Sequence, residues 1–185
     1  MKYCSHCGQP VIQRIPEGDN LPRYVCEHCQ TIHYQNPNIV AGSLPVYNDK
    51  VLLCRRAIEP RLGLWTLPAG FMENAETVEQ AALRESMEEA NAHVRLEQLY
   101  TVFSLPHVNQ VYMMYRATLL DENFFAGSES LEVKLFSEAE IPWDQLAFKT
   151  IYQTLRYFFE DRRRGDFVMR SHVIDRGPPV HLKDS

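Results

Sequence analysis

The sequence lacks any apolar run that approaches the roughly 18 residues of a membrane-spanning helix. It has no signal-peptide core, because Met1 is followed almost at once by a pair of cysteines, Cys4 and Cys7. Low-complexity stretches are missing too, and 45% apolar and 23% charged residues are typical of a globular chain. We therefore expect a cytoplasmic protein without a membrane partner; a transit peptide removed ahead of this sequence is the alternative.

An excess of positive charge is also missing. The chain has 19 Lys and Arg residues against 24 Asp and Glu residues, which gives a formal net charge of -5 at pH 7. A chain of this charge is not expected to coat nucleic acid, so no nucleic-acid partner is predicted. Phosphate groups on a substrate would then have to be held by local arginines and metal ions. The length of 185 residues fits one catalytic domain and a small module.

Cysteine is scarce, and four of the five cysteines form two pairs. Cys4 and Cys7, with Cys26 and Cys29, follow the spacing C-x2-C-x18-C-x2-C, which is typical of a four-cysteine zinc site. Four thiolates complete a tetrahedron and leave no position open for a substrate, so the zinc is predicted to be structural. Disulfides are the alternative, although nothing indicates secretion. The fifth cysteine, Cys54, is predicted to be a small core residue.

The stretch from Gly70 to Ala92 places acidic residues at helical spacing, GFMENAETVEQAALRESMEEANA. At about 3.6 residues per turn and with Glu85 at zero, Glu88 falls near about -60° and Glu89 near about +40°. Three carboxylates on one face repel each other unless a cation lies among them. Hard oxygen ligands suit Mg²⁺ or Mn²⁺, so this face is predicted to hold a divalent metal.

The same periodicity divides the rest of this helix. Ala81 and Ala82 share the acidic face, where their short side chains are expected to leave room for a phosphate-bearing ligand. The opposite arc, which is predicted to be buried in a core, carries Leu83, Ser86, Met87 and Ala90.

Apolar and alternating runs predict strands on both sides of the helix. The predicted strands are 39–47, 51–56, 64–67, 93–105, 108–120 and 131–136. The strand at 108–120 is partly apolar on both faces, which favours a central position in a sheet. A last amphipathic helix is predicted to end at Gly165, and the segment after it has room for one more strand.

The stretch 70–92 resembles the Nudix box, G-x5-E-x7-R-E-U-x-E-E-x-G-U, in which U is a bulky aliphatic residue. The matching residues are Gly70, Glu76, Arg84, Glu85, Glu88 and Glu89. Ser86 and Ala92 depart from the pattern at aliphatic positions, and Asn91 replaces the last glycine. Because Asn also adopts the left-handed conformation that ends a helix, Asn91 is predicted to keep the cap. A surface helix with many ion pairs is the alternative, but it does not explain the full spacing.

The resemblance implies an α/β fold, the Nudix α/β/α sandwich with a mixed sheet, preceded by a small zinc ribbon. We expect the ribbon at residues 1–35, the Nudix hydrolase domain at 36–165 and a C-terminal tail at 166–185. The implied Mg²⁺ or Mn²⁺ ligands are Glu85, Glu88, Glu89 and the Ala69 carbonyl. Arg84 is expected to hold Glu76 in place rather than to contact substrate. The candidates for the general base are Glu88, Glu89, Glu129 and Glu132.

The ribbon, the connector 34–37 and the phrases 63–70 and 129–132 look like the plant plastid FAD and ADP-ribose diphosphatases. The chain lacks the Ser-Gln-Pro-Trp-Pro-Phe-Pro stretch of the NADH and NAD-capped-RNA branch. The resemblance therefore implies hydrolysis of a nucleoside diphosphate linked to X. FAD or ADP-ribose would give AMP plus FMN or ribose 5-phosphate. An NADH-type diphosphatase and a non-catalytic nucleotide sensor or nucleic-acid binder are the alternatives, and a homodimer is one candidate assembly.

Four further residues are candidates for substrate contact. Strand alternation directs either Arg55 or Arg56 toward a diphosphate. Phe103 or Tyr112 would stack on an aromatic base, although aromatic residues in strands usually belong to the core.

Overall fold

The N-terminal unit of the computed structural model, Met1–Pro37, is built on a three-stranded antiparallel sheet. Its strands, in the order β1-β2-β3, are β1 (Val11–Arg14), β2 (Arg23–Cys26) and β3 (Ile32–His33). The structure describes residues 1–175. Within this range no helix is both long and apolar enough to cross a membrane.

The second unit begins at Asn38 and carries one large mixed sheet. Its strands are β4 (Asn38–Tyr47), β5 (Lys50–Arg56), β6 (Trp65–Thr66), β7 (Ala69–Phe71), β8 (Val94–Leu105), β9 (Gln110–Leu119), β10 (Ser130–Phe136) and β11 (Arg170–Val173). The main order is β10-β5-β4-β9-β8-β11, with β6 paired to β5 and β7 to β4. The β4–β9 and β8–β11 pairs are parallel, and β9 is central, as the sequence predicts.

Two helices cover the sheet, α1 (Val78–Ala90) and α2 (Lys149–Arg164). Successive residues of β5 point to different cores, since Leu53 packs in the cluster that contains α2 residues such as Leu155. Cys54 packs in the cluster that contains Ala90 of α1. The sheet therefore lies between the two helices, and the α/β/α sandwich is confirmed.

The ends of α1 are defined by local side chains. Thr77 and Gln80 form a capping box at its start. Asn91 ends the helix with φ of 48°, in the left-handed conformation, and its N–H donates to the Met87 carbonyl at 2.8 Å. The prediction that Asn91 keeps the cap is confirmed.

The predicted division of α1 into faces is correct for Ala90, which is buried, but wrong for most of its other apolar residues. Leu83 and Met87 are 39% and 38% exposed, whereas Ala81 and Ala82 are fully buried. The helix lies against β4 and β7, where only short side chains fit between the backbones. Ser86 is also buried. Its hydroxyl can be buried since it contacts Ser43 Oγ of β4 at 2.7 Å and donates to the Ala82 carbonyl.

A buried ion pair holds the segment after α2. Asp161, which is 1% exposed, accepts hydrogen bonds from Arg170 at 2.6 Å and from Tyr100 Oη at 2.8 Å. These bonds lower the pKa of Asp161, mainly through Arg170. They connect α2, β8 and β11, so part of the expected tail is an ordered edge strand. Residues 176–185 of that tail lie outside the described part of the chain.

We expect Asp161→Asn to lower the free energy of unfolding by about 2–3 kcal/mol at pH 7, because Arg170 loses its charged partner. The folded pKa of Asp161 is below its unfolded value of about 3.9, so its contribution is present above about pH 4 and is lost as the pH falls. Urea unfolding at pH 7 and pH 3 measures the difference. Glu160→Gln removes an exposed pair with Arg156 and should cost less than about 1 kcal/mol. Equal losses in the two variants would contradict the assignment.

Candidate active site

An open cleft of about 1490 Å³ lies over the acidic face of α1. Its walls are formed by α1, β7, the loop 58–61, the turn 105–108 and the loop 125–129. Ligand pockets commonly measure about 300–1,000 Å³. The cleft therefore has room for a ligand built from two linked parts.

Two of the three carboxylates predicted to bind the metal are buried in this cleft. Glu85 is 8% and Glu89 is 5% exposed, whereas Glu88 is exposed. Glu89 Oε2 accepts the Ala69 N–H at 3.1 Å. A Cβ on Gly70 would lie 2.3 Å from Glu85 Oε1, so glycine is required for the carboxylate to approach the loop.

Burial and like charge disfavour ionisation of these groups. Burial raises the pKa of Glu89 to about 8, and the Glu85 and Glu129 carboxylates add to the effect. Burial likewise raises the pKa of Glu85. A divalent cation among these oxygens would restore the charged forms, and an all-carboxylate donor set suits Mg²⁺ or Mn²⁺. The donor chemistry of these residues therefore suits the metal that the sequence predicts.

Arg84 binds other protein groups through its whole guanidinium. Its Nε and Nη2 donate to the two Glu76 oxygens at 3.1 and 2.7 Å. Its Nη1 donates to Glu85 at 2.6 Å and to Glu88 at 3.0 Å, and Nη2 also reaches the Phe71 carbonyl. Arg84 thus orients carboxylates, and its contact with Glu76 is the one expected from the box.

The loop 124–129 packs directly on the C-terminal end of α1. The Gly127 N–H donates to the Glu89 carbonyl at 3.0 Å. A Cβ at Gly127 would lie only 1.7 Å from the Glu88 carbonyl oxygen. This close approach places Glu129 in the cleft wall, where its charge acts on Glu85 and Glu89.

The paired arginines of β5 separate as strand alternation predicts. Arg56 lines the cleft, where its guanidinium lies 5.2 Å from the Phe148 ring and Nε donates to the Pro60 carbonyl. Arg55 instead donates to the Gly63 carbonyl and lies 3.8 Å from Glu132, its cross-strand neighbour on β10. Neither Arg55 nor Glu132 lines the cleft, so the structure does not support the prediction that they belong to the site.

The two aromatic candidates, Phe103 and Tyr112, differ in position: one lies in the core and the other in the cleft wall. Tyr112 lines the cleft. Phe103 is 0% exposed and its ring stacks on His172 of β11, so Phe103 is corrected to a core residue. The covering strand follows α2 by several residues, and nothing in the local pattern of β8 reveals it.

Several residues in the cleft wall were not predicted from the sequence as site residues. They are Phe71, His107, Gln110, Phe125 and Phe148. Among residues 1–175, the buried Nδ1 of His107 finds no hydrogen-bond partner. Most of these residues lie in turns or at strand ends, where hydrophobic periodicity carries no signal. Phe125 and Gly127 stand out in the sequence because they are an aromatic residue and a glycine within a largely polar loop, and this contrast was the one signal for them.

The first unit contains the four-cysteine cluster. All four Sγ atoms lie within 4.8 Å of one another, with Cys7–Cys26 at 3.5 Å and Cys4–Cys29 at 3.6 Å. A zinc ion with Zn–S bonds of about 2.3 Å would give a tetrahedral edge of about 3.8 Å. The donor set and its spacing thus fit a structural zinc ion, as predicted.

Comparisons with known proteins identify both parts of the chain. The profile described as Nudix N-terminal matches residues 2–35, and the NUDIX domain profile matches residues 37–161. The chain is 57% identical to the NUDIX hydrolase crystal structure from Nitrosomonas europaea, with a TM-score of 0.92. That match covers 95% of this chain and 100% of the other.

Two curated relatives have different names. The NAD-capped RNA hydrolase NudC of Edwardsiella ictaluri is 30% identical over 141 residues, which cover 75% of this chain and 50% of the relative. The ADP-ribose pyrophosphatase of Methanocaldococcus jannaschii is 30% identical over 121 residues, which cover 62% of this chain and 69% of the relative. The chain spans about half of the NudC relative, and these names do not single out the plant FAD branch. The matched profiles and the arrangement of box residues show that the chain belongs to the Nudix hydrolase family.

Proposed function

We propose that the chain hydrolyses the diphosphate bond of a nucleoside diphosphate linked to a second group. The observation that supports this most directly is the convergence of Glu85, Glu88, Glu89 and Glu129 with Arg56 in one cleft of about 1490 Å³. Carboxylates alone would repel a diphosphate. Together with a divalent cation and an arginine they provide the opposite charges that such a substrate needs.

The metal would be held by Glu85, Glu88 and Glu89, with the Ala69 carbonyl as a further ligand. When bound, Mg²⁺ or Mn²⁺ supplies neutralisation of phosphate charge and activation of a water molecule. The Ala69 N–H holds the Glu89 carboxylate for this role, and the absence of a side chain at Gly70 leaves space for that of Glu85.

The remaining groups act on the substrate and the attacking water. We expect Arg56, which lines the same cleft, to bind a phosphate oxygen of the substrate. Arg84, fixed by Glu76, keeps Glu85 and Glu88 from turning away. Glu129 is the preferred general base because it lies in the cleft and close enough to the box for its charge to act on Glu89. Glu88 and Glu89 remain alternatives for that role.

We propose ADP-ribose as the first substrate, with FAD as a second member of the same class. ADP-ribose is favoured because a relative that this chain covers to 69% is named an ADP-ribose pyrophosphatase. Hydrolysis would give AMP and ribose 5-phosphate from ADP-ribose, or AMP and FMN from FAD. NAD or NADH is the second candidate, since the NudC relative is named an NAD-capped RNA hydrolase.

A substrate panel tests this proposal. We expect kcat/KM with Mg²⁺ to be highest for ADP-ribose or FAD, lower for NADH and at least about 10-fold lower for nucleoside triphosphates. Triphosphates are expected to be poor substrates because a two-part substrate is held at both ends, which positions the bridge over the carboxylates. Products are identified by chromatography. A preference for NADH or NAD-capped RNA would select the second candidate, and a preference for triphosphates would overturn the assignment.

A further inference from the structure

Phe125 is the most exposed aromatic side chain in the wall of the cleft. Its side chain is 64% exposed, although the preceding Phe124 packs against the core cluster of Ala90 and Leu119. Leaving an aromatic ring in water forgoes the free energy of its burial. Such exposure in a ligand cleft indicates a contact that forms when a ligand binds.

The backbone around Phe125 is held in place. The Phe125 N–H donates to the Ala90 carbonyl at 2.9 Å, and the Phe125 carbonyl accepts from Asn91 Nδ2 at 3.1 Å. Gly127 is fixed two residues later by its bond to the Glu89 carbonyl. With Phe124 packed and both backbone groups of Phe125 bonded, the phenyl ring is presented on a rigid support.

We propose that Phe125 is the stacking platform for the nucleobase of the substrate and so helps to determine specificity. This inference rests on the proposed function, because it takes the substrate to be a nucleoside diphosphate derivative. In ADP-ribose the adenine ring is the only flat aromatic part. Stacking on an aromatic side chain is the general way in which proteins hold a base without reading its edge.

The surroundings of Phe125 agree with a base rather than a phosphate. Met87, at 38% exposed, lines the same cleft from α1, and Ala126 and Gly127 follow Phe125 in the wall. These three residues are uncharged, whereas the carboxylates of Glu88 and Glu129 line the same cleft. The phosphates are instead accounted for by the metal-binding carboxylates and Arg56, so the two ends of the substrate have separate sites.

Binding of two product fragments tests the proposal without turnover. AMP contains the base and ribose 5-phosphate does not, and both are titrated calorimetrically in Mg²⁺. We expect Phe125→Ala to weaken AMP binding by at least about 10-fold and to leave ribose 5-phosphate within about twofold. Phe125→Trp should restore AMP binding. Leu131→Ala is the matched control, because Leu131 is 56% exposed and does not line the cleft.

Kinetics with ADP-ribose separates the two proposals. We expect Phe125→Ala to raise KM by about 10-fold with kcat within about twofold, because stacking contributes to binding and not to the chemical step. If the wild type binds AMP through Phe125 but cleaves no diphosphate, the proposed function fails, while base stacking on Phe125 stands for the nucleotide that the cleft binds. If the wild type cleaves ADP-ribose while Phe125→Ala leaves KM and AMP affinity unchanged, or weakens both fragments equally, the inference is overturned.

Discussion

Glu89→Gln is expected to lower kcat by at least about 10³-fold without lowering the stability of the metal-free protein. The amide removes one negative charge from the metal site, but its oxygen can still accept the Ala69 N–H. Because burial raises the pKa of Glu89 to about 8, its carboxyl is largely protonated in the metal-free protein at pH 7, and a neutral amide of the same shape should cost little stability there. Turnover at saturating Mg²⁺ and melting temperatures in EDTA and in Mg²⁺ are the measurements.

Glu132→Gln is the control for this experiment. Glu132 pairs with Arg55 outside the cleft, so its removal should leave kcat within about twofold. Mg²⁺ should raise the melting temperature of the wild type and of Glu132→Gln, but much less that of Glu89→Gln. Near-normal turnover of Glu89→Gln at saturating Mg²⁺ would show that the metal does not depend on this face of α1.

Cys26→Ser is expected to release zinc and to unfold the first unit. Cys26 is fully buried, and its backbone N–H and carbonyl bond to Thr31 and Gln30 in the second cysteine turn. A three-stranded sheet of this size has too little core to fold without its metal. Metal analysis and limited proteolysis within residues 1–37 measure the loss, while the second unit should keep its own melting transition.

Cys54→Ala provides the comparison. Cys54 is equally buried but packs in the second unit, so this variant should keep its zinc and lose only a small part of the core contacts. Zinc-free wild-type protein from metal-replete preparations, or disulfides found by mass, would refute the zinc ribbon.

Short-range spacing accounts for what could be predicted from sequence. The box residues lie within 20 positions of one another, so the helical period alone brings Glu85, Glu88 and Arg84 together. The cysteine pairs are likewise local turns. The order of strands was not predicted, although the mixed sheet and the central position of β9 were.

The features that sequence reasoning predicted wrongly or did not predict depend on contacts between distant segments. The burial of Ala81 and Ala82 and the exposure of Leu83 depend on how closely β4 approaches α1, which helical periodicity does not contain. Phe103 is buried by a strand that begins at Arg170. Phe125 became a cleft residue only because Gly127 allows its loop to touch the end of α1.

Asn91 joins two segments that are 34 positions apart, because its side-chain amide donates to the Phe125 carbonyl. Glycine, the residue that the box pattern has at this position, would adopt the same left-handed conformation but has no amide side chain to donate. Consensus redesign chooses each position separately, and restoring glycine here would keep the end of α1 while removing one of the three hydrogen bonds that hold the loop carrying Phe125 and Glu129 on that end. Engineers who transplant this box into another scaffold would therefore have to move both segments together.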